Sequence, residues 1–448
     1  MDLPVVALSS STPAPGAPER ALLDDCVHCG FCLPHCPTWQ SWSEEMDSPR
    51  GRIDLMRSLR DGATTLTPQV VQHFDACLGC MACVTACPSG VKYDQLIEET
   101  RARIEREHRR GLLDRFQRAL VFQLFPYPAR LRVAALVSWL YARTGLRWLL
   151  RKSGLLRLLP RGLQAMEELQ PDLPLRALAS GLPARTPAQG ERRATVALLA
   201  GCVQRVFFPG VNAATLRVLS AEGIEVLVPA GQGCCGALSM HAGREHESLE
   251  FAQALIARFE AQPVDAILVN AAGCGSHTKE YGRLFAKDPV WAGRARAFSA
   301  KVRDISEWLA ALPPRAVRHP LPLTVAVHDA CHLSHAQKIR AQPRALLAGI
   351  PGLSLREIEG GEQCCGSAGI YNLVQPGSAA EVGARKAGNV LAAGAQLLSS
   401  GNPGCTLQIQ RHLRDLGAHL PAAHPIEILD ASISGAGLGA LTGRPPRL

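Results

Sequence analysis

Apolar and polar positions along this chain change rhythm several times, and each change predicts a different kind of element. SPRGRIDLMRSLR predicts a helix with Ser48 as N-cap and Pro49 at the first helical position. YDQLIEETRARIEREHRR predicts another. From Phe116 to Pro160 apolar stretches alternate with arginines, the pattern of amphipathic helices broken at Pro126 and Pro128. The Pro- and Ala-rich segment PDLPLRALASGLPARTPAQG then reads as a linker. Beyond it the rhythm shortens. ATVALLAG, IEVLVP and DAILVN read as strands separated by helical segments, and LTVAVHD, LSLREIE and AQLLSS repeat the order. This predicts a duplicated α/β unit. No apolar run approaches the roughly 18 residues that span a bilayer; RVAALVSWLYAR has only 10 residues between its arginines.

Composition changes this picture little. At 448 residues the chain has room for about three domains. Its 47% hydrophobic and 19% charged residues suit globular cores. The net charge of +9 comes mostly from arginines scattered through helical stretches, without the interleaved aromatics of a base-stacking surface, so nucleic acid is not an expected partner. The first residues, MDLPVVALSSSTPAPGAPER, have no basic or apolar leader pattern and read as a disordered tail over 1–16. A cytoplasmic location is expected. The basic amphipathic middle would suit the inner face of the cytoplasmic membrane, a partner subunit, or packing between two domains.

The chemistry lies in the sixteen cysteines, too many for a disulfide framework in that compartment. CVHCGFCLPHCP and CLGCMACVTACP are both C-x2-C-x2-C-x3-C-P. The two-residue spacers wrap a tight loop, so three thiolates can hold three irons of a cubane. In two-cluster ferredoxins the fourth cysteine crosses to the other cluster. The expected sets are therefore Cys26, Cys29, Cys32 and Cys87 for one [4Fe-4S] centre, and Cys77, Cys80, Cys83 and Cys36 for the other. Zinc also takes four thiolates, but seldom needs them this crowded with a proline closing each set. The helical stretch between the motifs favours the larger, helical form of such a domain. Arg50 and Arg52 either face a cluster or lie on an exposed helix face.

The duplicated half carries its own cysteines. Cys202, Cys234, Cys235 and Cys274 match Cys331, Cys364, Cys365 and Cys405, with first intervals of 32 and 33 residues and second intervals of 39 and 40. The order β-Cys-α-β-Cys-Cys-α-β-Cys places the thiols in loops at strand ends, where open α/β sheets bind ligands. Gly233, Gly236 and Gly366 would let the backbone approach a bulky cluster.

Two such repeats after a two-cluster motif pair resemble the iron–sulfur subunit of glycolate oxidase (glycolate dehydrogenase). The resemblance rests on CVHCGFCLPHCPTW, PRGRI, CPSGVKY, GCCGALSMH, GCGSHTKEYG, HAQK and QCCGSAGIYN. It implies an α+β multidomain chain: an α-helical ferredoxin domain over 17–110, a helical connector over 111–193, and cysteine-rich (CCG) repeats over 194–315 and 321–440. It also implies an electron-transfer subunit. Glycolate would be oxidised to glyoxylate by FAD on a partner flavoprotein, and the electrons would leave for a quinone or another membrane-linked acceptor. Similar chains serve lactate and anaerobic glycerol-3-phosphate dehydrogenases, or heterodisulfide reductase. The full pattern of that family ends each repeat in C-x-x-C, whereas here the ends read Cys274-Gly-Ser-His277 and Cys405-Thr-Leu-Gln408. With that fifth cysteine missing, the disulfide-reducing chemistry does not transfer, and His277 is read as a loop histidine. A further cluster, zinc, or reduced thiols lining a partner site remain open for the repeats.

Overall fold

The computed structural model describes residues 20–171, 175 and 181–441, so the expected tail at 1–16 lies outside the described residues. Up to Glu107 the described residues form helices and turns without a strand. The helices Pro49–Arg60, Pro68–Asp75 and Tyr93–Glu107 bury Ile53, Met56, Phe74, Leu96 and Ile97 against Leu23. The predicted cap is present, since the Ser48 hydroxyl accepts a hydrogen bond from the Gly51 amide at 3.0 Å. Gly51 cannot be larger, because a Cβ there would lie 1.9 Å from the Glu45 carbonyl oxygen.

The connector is a run of helices, including Leu112–Leu124, Pro128–Arg143, Leu146–Ser153 and Arg161–Glu168. The first two are bent by 108° at the break that Pro126 and Pro128 predict. Val121, Phe122, Leu131 and Ala135 face inward, while Val133, Val137, Leu140, Trp148 and Leu158 are exposed. No single described helix is long and apolar enough to cross a membrane. The segment read as a linker contributes a short strand, β1 (Arg185–Thr186).

The duplication gives two open sheets. In the first, β2 (Ala194–Leu199) pairs in parallel with β3 (Ile224–Leu227) and β4 (Ala266–Val269). Strand β5 (Val302–Asp304) extends it in parallel beside β4, and β1 closes the other edge antiparallel to β3. In the second, β6 (Thr324–His328) lies between β7 (Ser354–Glu357) and β8 (Leu397–Ser400), with β9 (Ala422–Ala423) outside, all parallel. The short apolar strands are buried on both faces because helical crossovers cover the sheet.

The repeats do not close separately. Each ends in a helix started by the same device, a capping box of Asp304 with Glu307 at Ile305–Ala310 and of His424 with Glu427 at Pro425–Ser434. The last helix of each repeat packs on the other repeat. Pro425–Ser434 lies against Pro209–Ala221, and Ile305–Ala310 against Ala341–Ala348. One apolar core therefore holds Val196, Leu198 and Leu219 together with Val325, Leu347 and Leu429. Arg217 and Asp430 pair across the same seam at 2.7 Å.

Candidate iron–sulfur and cysteine-rich sites

All sixteen cysteines are free thiols. The first motif is built from a short loop in which His28 and Gly30 adopt left-handed backbone conformations. Arg57 fixes its start by donating to the carbonyls of Leu23 and Cys26 at 2.7 and 3.1 Å. Cys26, Cys29 and Cys32 line a concavity with Cys87 and Pro88 from the second motif; Cys83 and Arg50 also reach it. Cys29 is exposed, and so are the neighbouring Val27 (68%) and Phe31 (64%).

Cys36 turns away from this concavity. It is buried with its sulfur 3.1 Å from the Thr38 hydroxyl, close enough to Cys32, Cys80 and Cys83 to influence all three thiols. In the second motif the Gly79 amide and the Tyr93 hydroxyl donate to the Cys77 sulfur at 3.4 and 3.6 Å. Such hydrogen bonds to sulfur tune a cluster's potential. Burial opposes the Cys77 thiolate, but Arg52 and Arg101 outweigh it and hold the thiol below its ordinary range. Arg52 is thus not on an exposed face. It is 1% exposed, bound to the His73 carbonyl at 2.7 Å and to Asp47 at 3.1 Å. Arg50 remains at the surface, paired with Glu45 and donating to the His28 carbonyl. Burial pushes the Cys32 thiol up to about 11. Burial likewise holds the Cys80 and Cys83 thiols neutral, and eight thiols gathered in two such groups fit two iron–sulfur clusters, which bind them deprotonated.

The helical domain docks directly on the repeats. Leu78, Cys80 and Ala82 pack in one apolar cluster with Cys331, Cys364 and Tyr371. The Tyr371 hydroxyl donates to the Ala76 carbonyl at 3.1 Å, and Arg101 donates to the His241 carbonyl at 2.9 Å. Gly243, at φ +84°, permits the contact, because a Cβ there would lie 2.3 Å from the Arg101 carbonyl oxygen.

Within each repeat the four thiols form a chain of sulfur contacts. Cys202 and Cys234 are 3.7 Å apart; Cys235 continues from Cys234 to Cys274. Cys331, Cys364, Cys365 and Cys405 follow the same order. All eight line one cavity of about 310 Å³ between the repeats, roofed by connector residues such as Leu131, Ala135, Trp139 and Met166. Sequence reasoning assigned a set to each repeat but had no signal that the sets share a cavity. It also missed His241 and His332, whose rings meet there at 4.8 Å between centroids.

Three expectations change. Cys274 and Cys405 lie in the first turns of the helices Ala272–Lys279 and Pro403–Asp415, not in loops. His277 is a buried helix residue whose Nε2 is 3.0 Å from the Ser248 hydroxyl. Gly236 and Gly366 are required by neighbouring backbone, since a Cβ would meet the Ser248 or Ala379 carbonyl oxygen at 2.7 or 2.6 Å, and the Gly236 amide donates to the Cys234 sulfur at 3.3 Å. Gly233 has no close neighbour.

Comparison with known families agrees with this layout. Residues 22–91 match the 4Fe-4S dicluster domain, and 196–279 and 325–410 match the cysteine-rich domain. Residues 113–169 match the linker region of the glycolate oxidase iron–sulfur subunit. These matches and the two ligand sets define an iron–sulfur protein of the oxidoreductase class. The chain is 40% identical to the probable glycolate oxidase iron–sulfur subunit of Bacillus subtilis (strain 168), covering 92% of this chain and 94% of that one. It is 34% identical to the glycolate oxidase iron–sulfur subunit of Escherichia coli (strain K12), covering 92% and 95%. The chain belongs to the glycolate oxidase iron–sulfur subunit family. Lactate utilization protein A of an Exiguobacterium strain is 28% identical but covers only 53% of this chain and 98% of its own length.

Proposed function

We propose that this chain is the electron-transfer subunit of a complex that oxidises glycolate to glyoxylate, with the two electrons and two protons taken first by FAD on a partner flavoprotein and the electrons then passed to a quinone. Cys26, Cys29, Cys32 and Cys87 hold one [4Fe-4S] cluster, and Cys77, Cys80, Cys83 and Cys36 the other. Bound clusters supply one-electron steps. The residues set the direction. Cys29 of the first motif is exposed, Cys77 and Cys80 of the second are buried, and Cys80 packs in one apolar cluster with Cys331 and Cys364 beside the large cavity. That ordered placement is the observation that carries the reading. The connector match favours glycolate over lactate, because the lactate relative covers only about half of this chain. The apolar, arginine-flanked outer face of the connector supports a peripheral position on an anionic inner membrane surface, beside a quinone pool.

The test is anaerobic EPR on the complex purified through a tag on this chain. Glycolate is expected to reduce the clusters and bring up their EPR signal, and D-lactate to leave them oxidised and EPR-silent. The reverse result would make the chain a lactate-dedicated wire, and no reduction by either would refute the reading.

Val27 and Phe31, beside the exposed Cys29, are the expected contact for the flavoprotein. The double variant Val27→Asp/Phe31→Asp puts charge into that apolar contact. It is expected to slow glycolate-driven cluster reduction about tenfold, equivalent to about 1.4 kcal/mol. The dithionite-reduced spectrum should stay unchanged, and an unaltered rate would place the entrance elsewhere.

A further inference from the structure

The two repeats share their central strands but differ in polarity where those strands end. Strand β2 ends at Leu199, three residues before Cys202, and its register partner on β4 is Val269. Strand β6 ends at His328, three residues before Cys331, and its register partner on β8 is Ser400. An apolar pair in the first repeat is thus a polar pair in the second. In the first repeat Leu199 and Val269 pack in an apolar cluster with Cys235. In the second, His328 is 4% exposed, its ring nitrogens have no nitrogen or oxygen partner among the described residues, and the polar group the ring meets is the Cys365 thiol. The hydroxyls of Ser399 and Ser400 are equally buried and unpartnered. Buried polar groups are seldom left this way.

The imidazole has other donors close by. A ring nitrogen of His328 and the sulfurs of Cys365 and Cys405 all lie within 4.8 Å of one another. A tetrahedral ion with bonds of about 2.0–2.3 Å separates its ligand atoms by about 3.3–3.8 Å, so the three need only small shifts to close on one metal atom. Cys365 and Cys405 line the large cavity and His328 does not, so the ring reaches the thiols from the sheet side. Gln408, three residues after Cys405, is not available. Its side chain already engages Asn372, the Ala379 carbonyl and His412. The first repeat offers no counterpart, because His277 is held by Ser248 and Leu199 has no donor.

We propose that His328 is a metal ligand, and that with Cys365 and Cys405 it forms a mixed nitrogen–thiolate site in the second repeat for zinc or for iron. One imidazole with two thiolates suits these metals and disfavours magnesium and calcium. The site makes the repeats unequal: the second holds a metal through a nitrogen, and the first does not. The inference does not depend on which substrate the complex oxidises.

The experiment is metal analysis and EPR of the full-length chain, purified anaerobically and washed with a chelator, as wild type, His328→Leu and His328→Cys. Leucine is the residue the first repeat carries at this position. Folding is judged independently from the signals of the two N-terminal clusters. The wild type is expected to hold metal beyond the roughly eight irons of two [4Fe-4S] clusters. His328→Leu should weaken retention of that extra metal by about tenfold or more, and His328→Cys should restore it. Extra zinc would identify a zinc centre. Extra iron with a nitrogen coupling in pulsed EPR, lost in both variants, would identify an imidazole-ligated iron. A wild type without extra metal, or a His328→Leu chain that keeps it with unchanged affinity and spectrum, would overturn the proposal.

Discussion

Replacing Cys36 with serine is expected to remove the cluster of the second motif and leave that of the first. Iron should fall from about eight to about four per chain at the N-terminal sites. The reason is the direction of the side chain. Cys36 belongs to the first motif in sequence, but its thiol is buried beside Thr38 outside the concavity of Cys26, Cys29 and Cys32, to which Cys87 returns. Serine nearly matches the size of cysteine and can keep the contact to Thr38, so a misfolded loop would not explain the loss. Because metal binding is coupled to folding in such domains, melting should also move to lower temperature. EPR and iron counts on the reduced variant decide the matter. Loss of the other signal, with the Cys77, Cys80 and Cys83 cluster intact, would mean that each motif serves its own cluster.

Arg52→Met is expected to destabilise the helical domain by about 3 kcal/mol, the lower end of the cost of breaking a buried ion pair. The lower end applies because Asp47 keeps His73 as a second partner at 3.1 Å. Burial alone would favour the neutral form of Arg52. The negative charge at Cys77 and Asp47 reverses that and keeps the guanidinium protonated. Its loss removes a positive charge from beside the second ligand set, so the potential of that cluster should become more negative. Thermal unfolding reads the first effect and an EPR redox titration the second. An unchanged potential with lowered stability would assign Arg52 a purely structural role.

Local signals were legible where a few neighbouring residues decide the outcome. Ser48 and Pro49 start their helix as read, and Pro126 and Pro128 break theirs. Three strands of each sheet followed from short apolar runs between helical segments, while β1, β5 and β9, too short to show a pattern, did not. His277 was misplaced and Arg52 left undecided because burial depends on what packs over a residue, which the flanking sequence does not record. His328 left one trace, a histidine closing an otherwise apolar strand, and its meaning required the distance to Cys365 and Cys405.

The sequence by itself determined the family, the two four-cysteine motifs and the duplication, because spacing along a chain fixes which residues one short loop can bring to one metal. Only the tertiary structure decided that the repeats exchange their last helices, that all eight of their thiols open on one cavity, and that the second motif lies against it. Those relations join residues that are far from one another along the chain. They are set by which apolar faces find each other during folding, and no local pattern carries that choice.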